Sequence, residues 1–236
     1  MADGVIHLAY MHNAPEHVDA AAADLRTVEA IGNVLEGSGK PFVVTSGTLV
    51  LTPGRVATEQ DAPDPSAPAA GRAASENAAV ALARRGIRSS VVRLAPTVHS
   101  SLDHHGFVPN LISIARDKGV AAFIGGGANQ WPAVHTLDAA RLYRLALEAA
   151  PAGSRWHAAG DKGVRFRDIA EVIGRHLNAL VVSIPPDQAN AHFGWLSFAV
   201  SADNPTSSAL TRQLLGWRPE HPGLIPDLDE GHYFSG

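Results

Sequence analysis

Apolar runs of strand length alternate in this chain with segments whose apolar residues recur every third or fourth position, and that alternation limits the fold more than any other feature. "GVIHLAY" (4–10), "PFVVTSG" (41–47) and "SSVVRLAP" (89–96) read as buried strands. Between the first two, Val18, Ala22, Leu25, Val28, Ile31 and Leu35 share one helical face from Glu16 to Glu36, and Gly37-Ser38-Gly39 is the stop. "AASENAAVALARRG" gives a second helix, closed by Gly86. A strand, a helix and another strand in series make a parallel pair with a right-handed crossover, so the expected class is an α/β fold with a Rossmann-like parallel sheet. The carboxyl ends of such strands share one edge, where ligands sit. Here those ends are Ala9 to His12, Ser46 to Thr48 and Ala95 to His99.

Beyond Ser100 the pattern changes. A helix is expected from Phe107 to Lys118, short strands at "VAAFIG" and "PAVHTL", and a helix from Asp138 to Ala150. "RWHAAG" and "ALVVSI" flank a further helix, Phe166 to Leu177, and the remainder reads as mostly helical. Residues 1–100 therefore read as the sheet domain. Residues 101–236 read mainly as a smaller α/β substrate lobe, with 131–150 returning to the core. The stretch Thr48–Pro68, rich in Pro, Asp, Ala and Gly, is too long for an ordinary connection and is expected to be functional or mobile.

Bulk properties narrow the function classes. Net charge is −4 and no basic run exceeds Arg84-Arg85, so a phosphate-backbone partner is not expected. There is no cysteine, which removes disulfides and thiolate chemistry together. No apolar run approaches the roughly 20 residues needed to span a bilayer. The expectation is a soluble cytoplasmic protein with a small-molecule substrate and neither nucleic-acid nor membrane partners.

The order "VIHLAY", "FVVTSGT", a helix containing Glu76, "SSVVRLAPTVH", "PAVHTLDAARLYRLALE" and "LTRQLLGWRPEHPGLIPDLDEGHY" resembles the extended and atypical short-chain dehydrogenase/reductases, the NAD-dependent epimerase/dehydratase superfamily. The resemblance covers nearly the whole chain. It implies that "VIHLAY", "VTSG" and "VVRLAPTVH" are the family's fourth to sixth strands and that the first three, with their glycine-rich diphosphate turn, are missing. The fold expected is thus a truncated Rossmann-like sheet. "GVIHLAY" would then carry an open edge, covered by a second copy in a homodimer or by the absent portion. Gly125-Gly126-Gly127 leads to "ANQWPAV" without an evident helix and reads as a turn, not a phosphate loop.

The resemblance implies NAD or NADP as cofactor and an oxidoreductase or epimerase acting on a small carbonyl or hydroxyl substrate. It places Ala9, Tyr10, Ser46, Pro96, Thr97 and Val98 at the cofactor and Ser46 among the catalytic residues. The family's Tyr and Lys fall on Pro68 and Arg72, so its usual proton exchange is not expected from those positions. Arg72, permanently charged and forked, suits a ribose hydroxyl or a carboxylate. His99, in the cluster His99, Asp103, His104, His105, is the remaining catalytic candidate, an imidazole at the ligand edge. No metal is expected. The alternative reading is a cofactor-free binding module, or an isomerase or lyase using Ser46, His99 and Arg72.

On physical grounds Asp138 is expected to cap the helix that follows it. His7 reads as a hydrogen-bonded core histidine, and Arg93, inside a strand, must find a carboxylate or carbonyl partner. Trp131, Trp156, Trp195 and Trp217 read as core or pocket walls.

Overall fold

The computed structural model describes residues 2–11 and 19–235; His12 and the beginning of the expected first helix lie outside them. In chain order the elements are β1 (Val5–His7), α1 (Ala20–Leu35), β2 (Pro41–Gly47), α2 (Ala73–Ala81), β3 (Arg88–Leu94), β4 (Thr97–His99), α3 (Phe107–Lys118), β5 (Val120–Ile124) and β6 (Gln130–His135). There follow α4 (Thr136–Ala149), β7 (Ser154–Ala158), β8 (Asp161–Arg165), α5 (Phe166–Leu177), β9 (Leu180–Ile184), α6 (Ala189–Phe193), α7 (Ser197–Val200), α8 (Ala209–Leu215) and α9 (Leu224–Asp229).

A four-stranded parallel sheet runs β1-β2-β3-β7. Its strands read as continuous apolar runs because both faces are covered. Phe42, Val44 and Val91 pack with Val28 of α1 and Ala79 of α2. On the opposite face Val43, Val92 and Trp156 pack with Leu142, Tyr143 and Ala146 of α4. The α/β class and the parallel sheet expected from periodicity are thus present. Strand β1 is shorter than the apolar run suggests, and Ile6 and Leu8 are exposed.

Two small sheets complete the fold, β4-β6-β8 and β5-β9. The second belongs to a lobe whose core joins α3, α5, Trp131, Phe193 and Leu196. Gly127 closes the turn after β5, its N–H bonding the Ile124 carbonyl at 2.9 Å with φ at 64°. The glycine run is therefore a turn, as its context suggests.

The Thr48–Pro68 stretch, expected to be functional or mobile, is packed and not mobile. Val50, Leu51 and Ala57 are fully buried, and Thr48 and Asn204 exchange hydrogen bonds of 2.7 and 3.0 Å. Glu59 accepts from both the N–H and the hydroxyl of Thr211 at 2.7 Å. The segment is pinned to the C-terminal region because its few apolar residues find buried partners far along the chain, which local composition does not record. Trp195 also departs from its reading: it is 61% exposed, whereas Trp131, Trp156 and Trp217 are buried.

Candidate active site

The carboxyl edge of the four-stranded sheet gathers Tyr10, Ser46 and Arg72. Arg72, just before α2, donates from Nη2 to the Thr45 carbonyl at 3.0 Å and lies 4.1 Å over the ring of Tyr10. Its guanidinium therefore bridges the ends of β1 and β2. Beneath it Thr45 donates to the His7 carbonyl and meets the Tyr143 hydroxyl at 2.7 Å. Burial pushes the Tyr143 phenol well up, so it stays protonated near neutral pH.

Ser46 is 3% exposed and faces α2. Its Oγ makes no hydrogen bond of ordinary geometry, yet it lies close enough to help stabilise the Glu76 carboxylate. Glu76 also receives Arg93 Nε at 3.1 Å, Arg93 Nη2 at 2.5 Å and Arg155 Nε at 2.8 Å. Burial alone pushes this carboxyl up, but the Arg93 bonds and charge, the nearby Ser46 hydroxyl and the Arg155 bond outweigh it and hold it below the usual range. Arg93 thus finds its carboxylate, together with the Asp61 carbonyl and His157 Nε2. His157 Nδ1 lies 2.8 Å from the Ser207 carbonyl, which only a protonated nitrogen satisfies, so Nε2 is the bare acceptor for Arg93. Burial and then the Arg93 charge lower its pKa to about 4.

Beyond β3 the chain does more than turn. Thr97–His99 form β4 and pair with β6, Thr97 donates to the Pro132 carbonyl, and Pro96 and Val98 are half-buried. Ala9 is exposed beyond β1. The histidine cluster read from the sequence is divided: His104 and His105 are exposed, while His99 is wholly buried and bonds Asp227 Oδ2 through Nδ1 at 2.8 Å. None of its hydrogen bonds reaches Ser46 or Arg72. Among the described residues His99 Nε2 has no hydrogen-bond partner. Its ring stands edge-on to His135, which stacks in parallel on His221 at 4.5 Å. Burial, then the His221 and His99 rings, lower the His135 pKa. His7 bonds Asp24 at 2.9 Å and is the hydrogen-bonded core histidine its setting suggests.

Asp138 corrects another expectation. Helix α4 begins at Thr136, with His135 accepting the Leu137 N–H at its start. Asp138 instead receives the Glu220 and His221 N–H groups and His221 Nδ1. It fastens the C-terminal segment, a role hidden by the 82 residues that separate it from Glu220. The sequence reading missed Asp227 and Asp138's distant partners Glu220 and His221: they lie in the C-terminal stretch that carries the resemblance, but no local spacing ties them to His99 or Asp138.

The parallel sheet with its appended small sheets and helices is the fold of solved dehydratase and epimerase structures, and of structures with NAD or NADPH bound. The dTDP-glucose 4,6-dehydratase DesIV from Streptomyces venezuelae, solved with NAD and TYD bound, matches with TM-score 0.72 and 21% identity, over 96% of this chain and 72% of that one. ADP-L-glycero-D-manno-heptose-6-epimerase from Helicobacter pylori matches with TM-score 0.74 and 10% identity, over 99% and 73%. RMD from Pseudomonas aeruginosa, complexed with NADPH, gives 0.69 and 18%, over 99% and 82%.

No protein-family model matches the sequence. The chain belongs to one family with two yeast proteins, Uncharacterized protein C2A9.02 of Schizosaccharomyces pombe and Uncharacterized protein YLL056C of Saccharomyces cerevisiae. It is 47% identical to the first over 234 residues, 98% of this chain and 78% of that protein. It is 43% identical to the second over 226 residues, 96% and 75%.

A dinucleotide needs a backbone cradle for its diphosphate at a strand-to-helix turn. Among the described residues none fits. Gly47, at the end of β2, would meet only the Leu94 carbonyl at 3.7 Å if it carried a Cβ, and a single 3-10 turn follows it, Thr48–Val50. Strand β3 runs into Pro96. No helix among the described residues is long and apolar enough to cross a membrane.

Proposed function

We propose that this protein is an epimerase/dehydratase-like enzyme that acts on a small carbonyl- or hydroxyl-bearing substrate at the carboxyl edge of the parallel sheet, with NAD or NADP as its ancestral cofactor. The observation that carries the reading is Arg72, a fixed cation held across the ends of β1 and β2 by the Thr45 carbonyl and the Tyr10 ring. A guanidinium so placed offers remaining N–H groups to a ribose hydroxyl or a substrate carboxylate. A cytoplasmic location, and a homodimer formed over the exposed side chains of β1, belong to the same reading; sedimentation velocity tests the dimer.

Titration of NADH and NADPH against intrinsic Trp fluorescence is the direct test. Saturable quenching in the micromolar range supports a dinucleotide enzyme, and no quenching at millimolar concentration defeats it. The second reading, a cofactor-free isomerase, lyase or binding module, is favoured by the His99–Asp227 pair. Asp227 orients the ring and fixes its tautomer, leaving Nε2 as a bare base. This second reading requires a His99→Gln variant to lose substrate turnover while dinucleotides remain without effect on fluorescence.

A further inference from the structure

Asp227 has a problem of charge. Its side chain is only 4% exposed, and its ionic partners are two imidazoles, His99 at 2.8 Å and His232 at 3.8 Å, which are cations only when protonated. The groups around it add negative character. Asp103 bonds the Tyr233 hydroxyl, and burial followed by the Asp103 and Asp227 charges pushes that phenol far up. Glu230 lies one helical turn beyond Asp227. A buried carboxylate needs a compensating charge, and among the described residues no Lys or Arg pairs with Asp227 within 4 Å.

A second observation concerns His232. Its Nε2 is shielded from water and has no hydrogen-bond partner among the described residues, although 22% of the side chain is exposed. A buried donor or acceptor left in that condition calls for an explanation. One Asp227 oxygen, one Glu230 oxygen and one His232 nitrogen all lie within 4.8 Å of one another. Ligand atoms around a tetrahedral zinc-type ion stand roughly 3.4 Å apart, given metal–ligand distances near 2.1 Å. The Asp227–His232 separation of 3.8 Å is too long for a hydrogen bond and needs only a small inward shift to meet that value.

We propose that Asp227, Glu230 and His232 hold a divalent transition cation of the zinc class, with His99 as the positioning residue that orients the Asp227 carboxylate. The mixed nitrogen and oxygen donor set suits Zn2+ better than Mg2+, which prefers oxygen ligands and keeps its waters. The ion supplies Asp227 with a charge that does not depend on pH, and it gives the buried His232 Nε2 its missing partner. The other His/Asp group, His135, Asp138 and His221, makes a poorer site, because Asp138 already accepts three protein hydrogen bonds.

The test uses the untagged full chain with Co2+ as a spectroscopic probe for zinc, followed by competition with Zn2+. The expected result is one Co2+ per chain with visible d–d absorption, displaced by Zn2+, and a melting temperature raised by Zn2+. His232→Ala and Glu230→Gln, both at positions open enough to keep the fold, are expected to weaken binding at least tenfold. His99→Gln is expected to weaken it about 10- to 100-fold while leaving the stoichiometry at one, as outer-shell partners do. Absence of saturable micromolar binding overturns the proposal. So does binding that survives His232→Ala and disappears in His221→Ala. Neither outcome depends on dinucleotide binding.

Discussion

Arg93 Nη2 meets Glu76 Oε1 at 2.5 Å, and both side chains are completely shielded from water. Breaking one half of such a pair leaves a stranded charge, which costs about 3–5 kcal/mol, whereas replacing both halves by well-packed apolar residues is often neutral. Glu76→Ala is therefore expected to lower the unfolding free energy, read from urea melts, by an amount in that range. The double change Glu76→Leu, Arg93→Met is expected to recover most of it. A double variant no better than the single one would falsify the stranded-charge explanation.

His157 sets an acid limit on stability. Its folded pKa of about 4 lies below the ordinary value of 6.5, so the unfolded chain binds the proton first as pH falls. Stability from this group is complete above pH 6.5 and is lost between there and pH 4. The gap corresponds to about 3 kcal/mol. Urea melts at intervals across that window should show the decline, and a His157→Gln variant, itself less stable at pH 7, should show a flatter one.

Gly127 and Gly126 form an internal control. A Cβ at Gly127 meets Arg167 Cβ at 2.6 Å and Phe123 Cδ2 at 2.8 Å, with φ at 64°. Gly126 has open space and no positive φ. Gly127→Ala is expected to cost about 2–3 kcal/mol from strain and overlap. Gly126→Ala should fall within about 0.5 kcal/mol of the parent. Equal midpoints for the two variants would refute the turn assignment.

The Thr48–Asn204 exchange should make the long loop resistant to proteases. Asn204→Ala removes both bonds and strands the Thr48 hydroxyl, a loss of about 2–3 kcal/mol. Hydrogen exchange should show protected amides at Leu51 and Ala57, which bond Thr48 and Pro205 carbonyls, and faster exchange there in the variant. Rapid exchange in the parent protein contradicts the packed loop.

Arg72→Ala tests the sheet edge. It removes the Thr45 bond and the Tyr10 stack, for about 1–2 kcal/mol in stability. If the proposed site is right, any NADH quenching of Trp fluorescence shown by the parent should fall at least tenfold in Arg72→Ala. Quenching unchanged in the variant would remove Arg72 from the site.

The sequence by itself determined the order of strands and helices in the sheet domain, and helices α3 and α5 to the residue. Those elements announce themselves through local periodicity: Phe42, Val43 and Val44 are apolar in succession because helices cover both faces. It also fixed the absence of thiol chemistry. Only the tertiary structure decided that β7 joins β3, that the Thr48–Pro68 segment is anchored, and that His99 meets Asp227 across 128 residues of chain. Polar partners found at such separations carry no period and no motif. Their pairing is set by how the lobes pack, and a buried imidazole and a buried carboxylate look in sequence like any exposed ones.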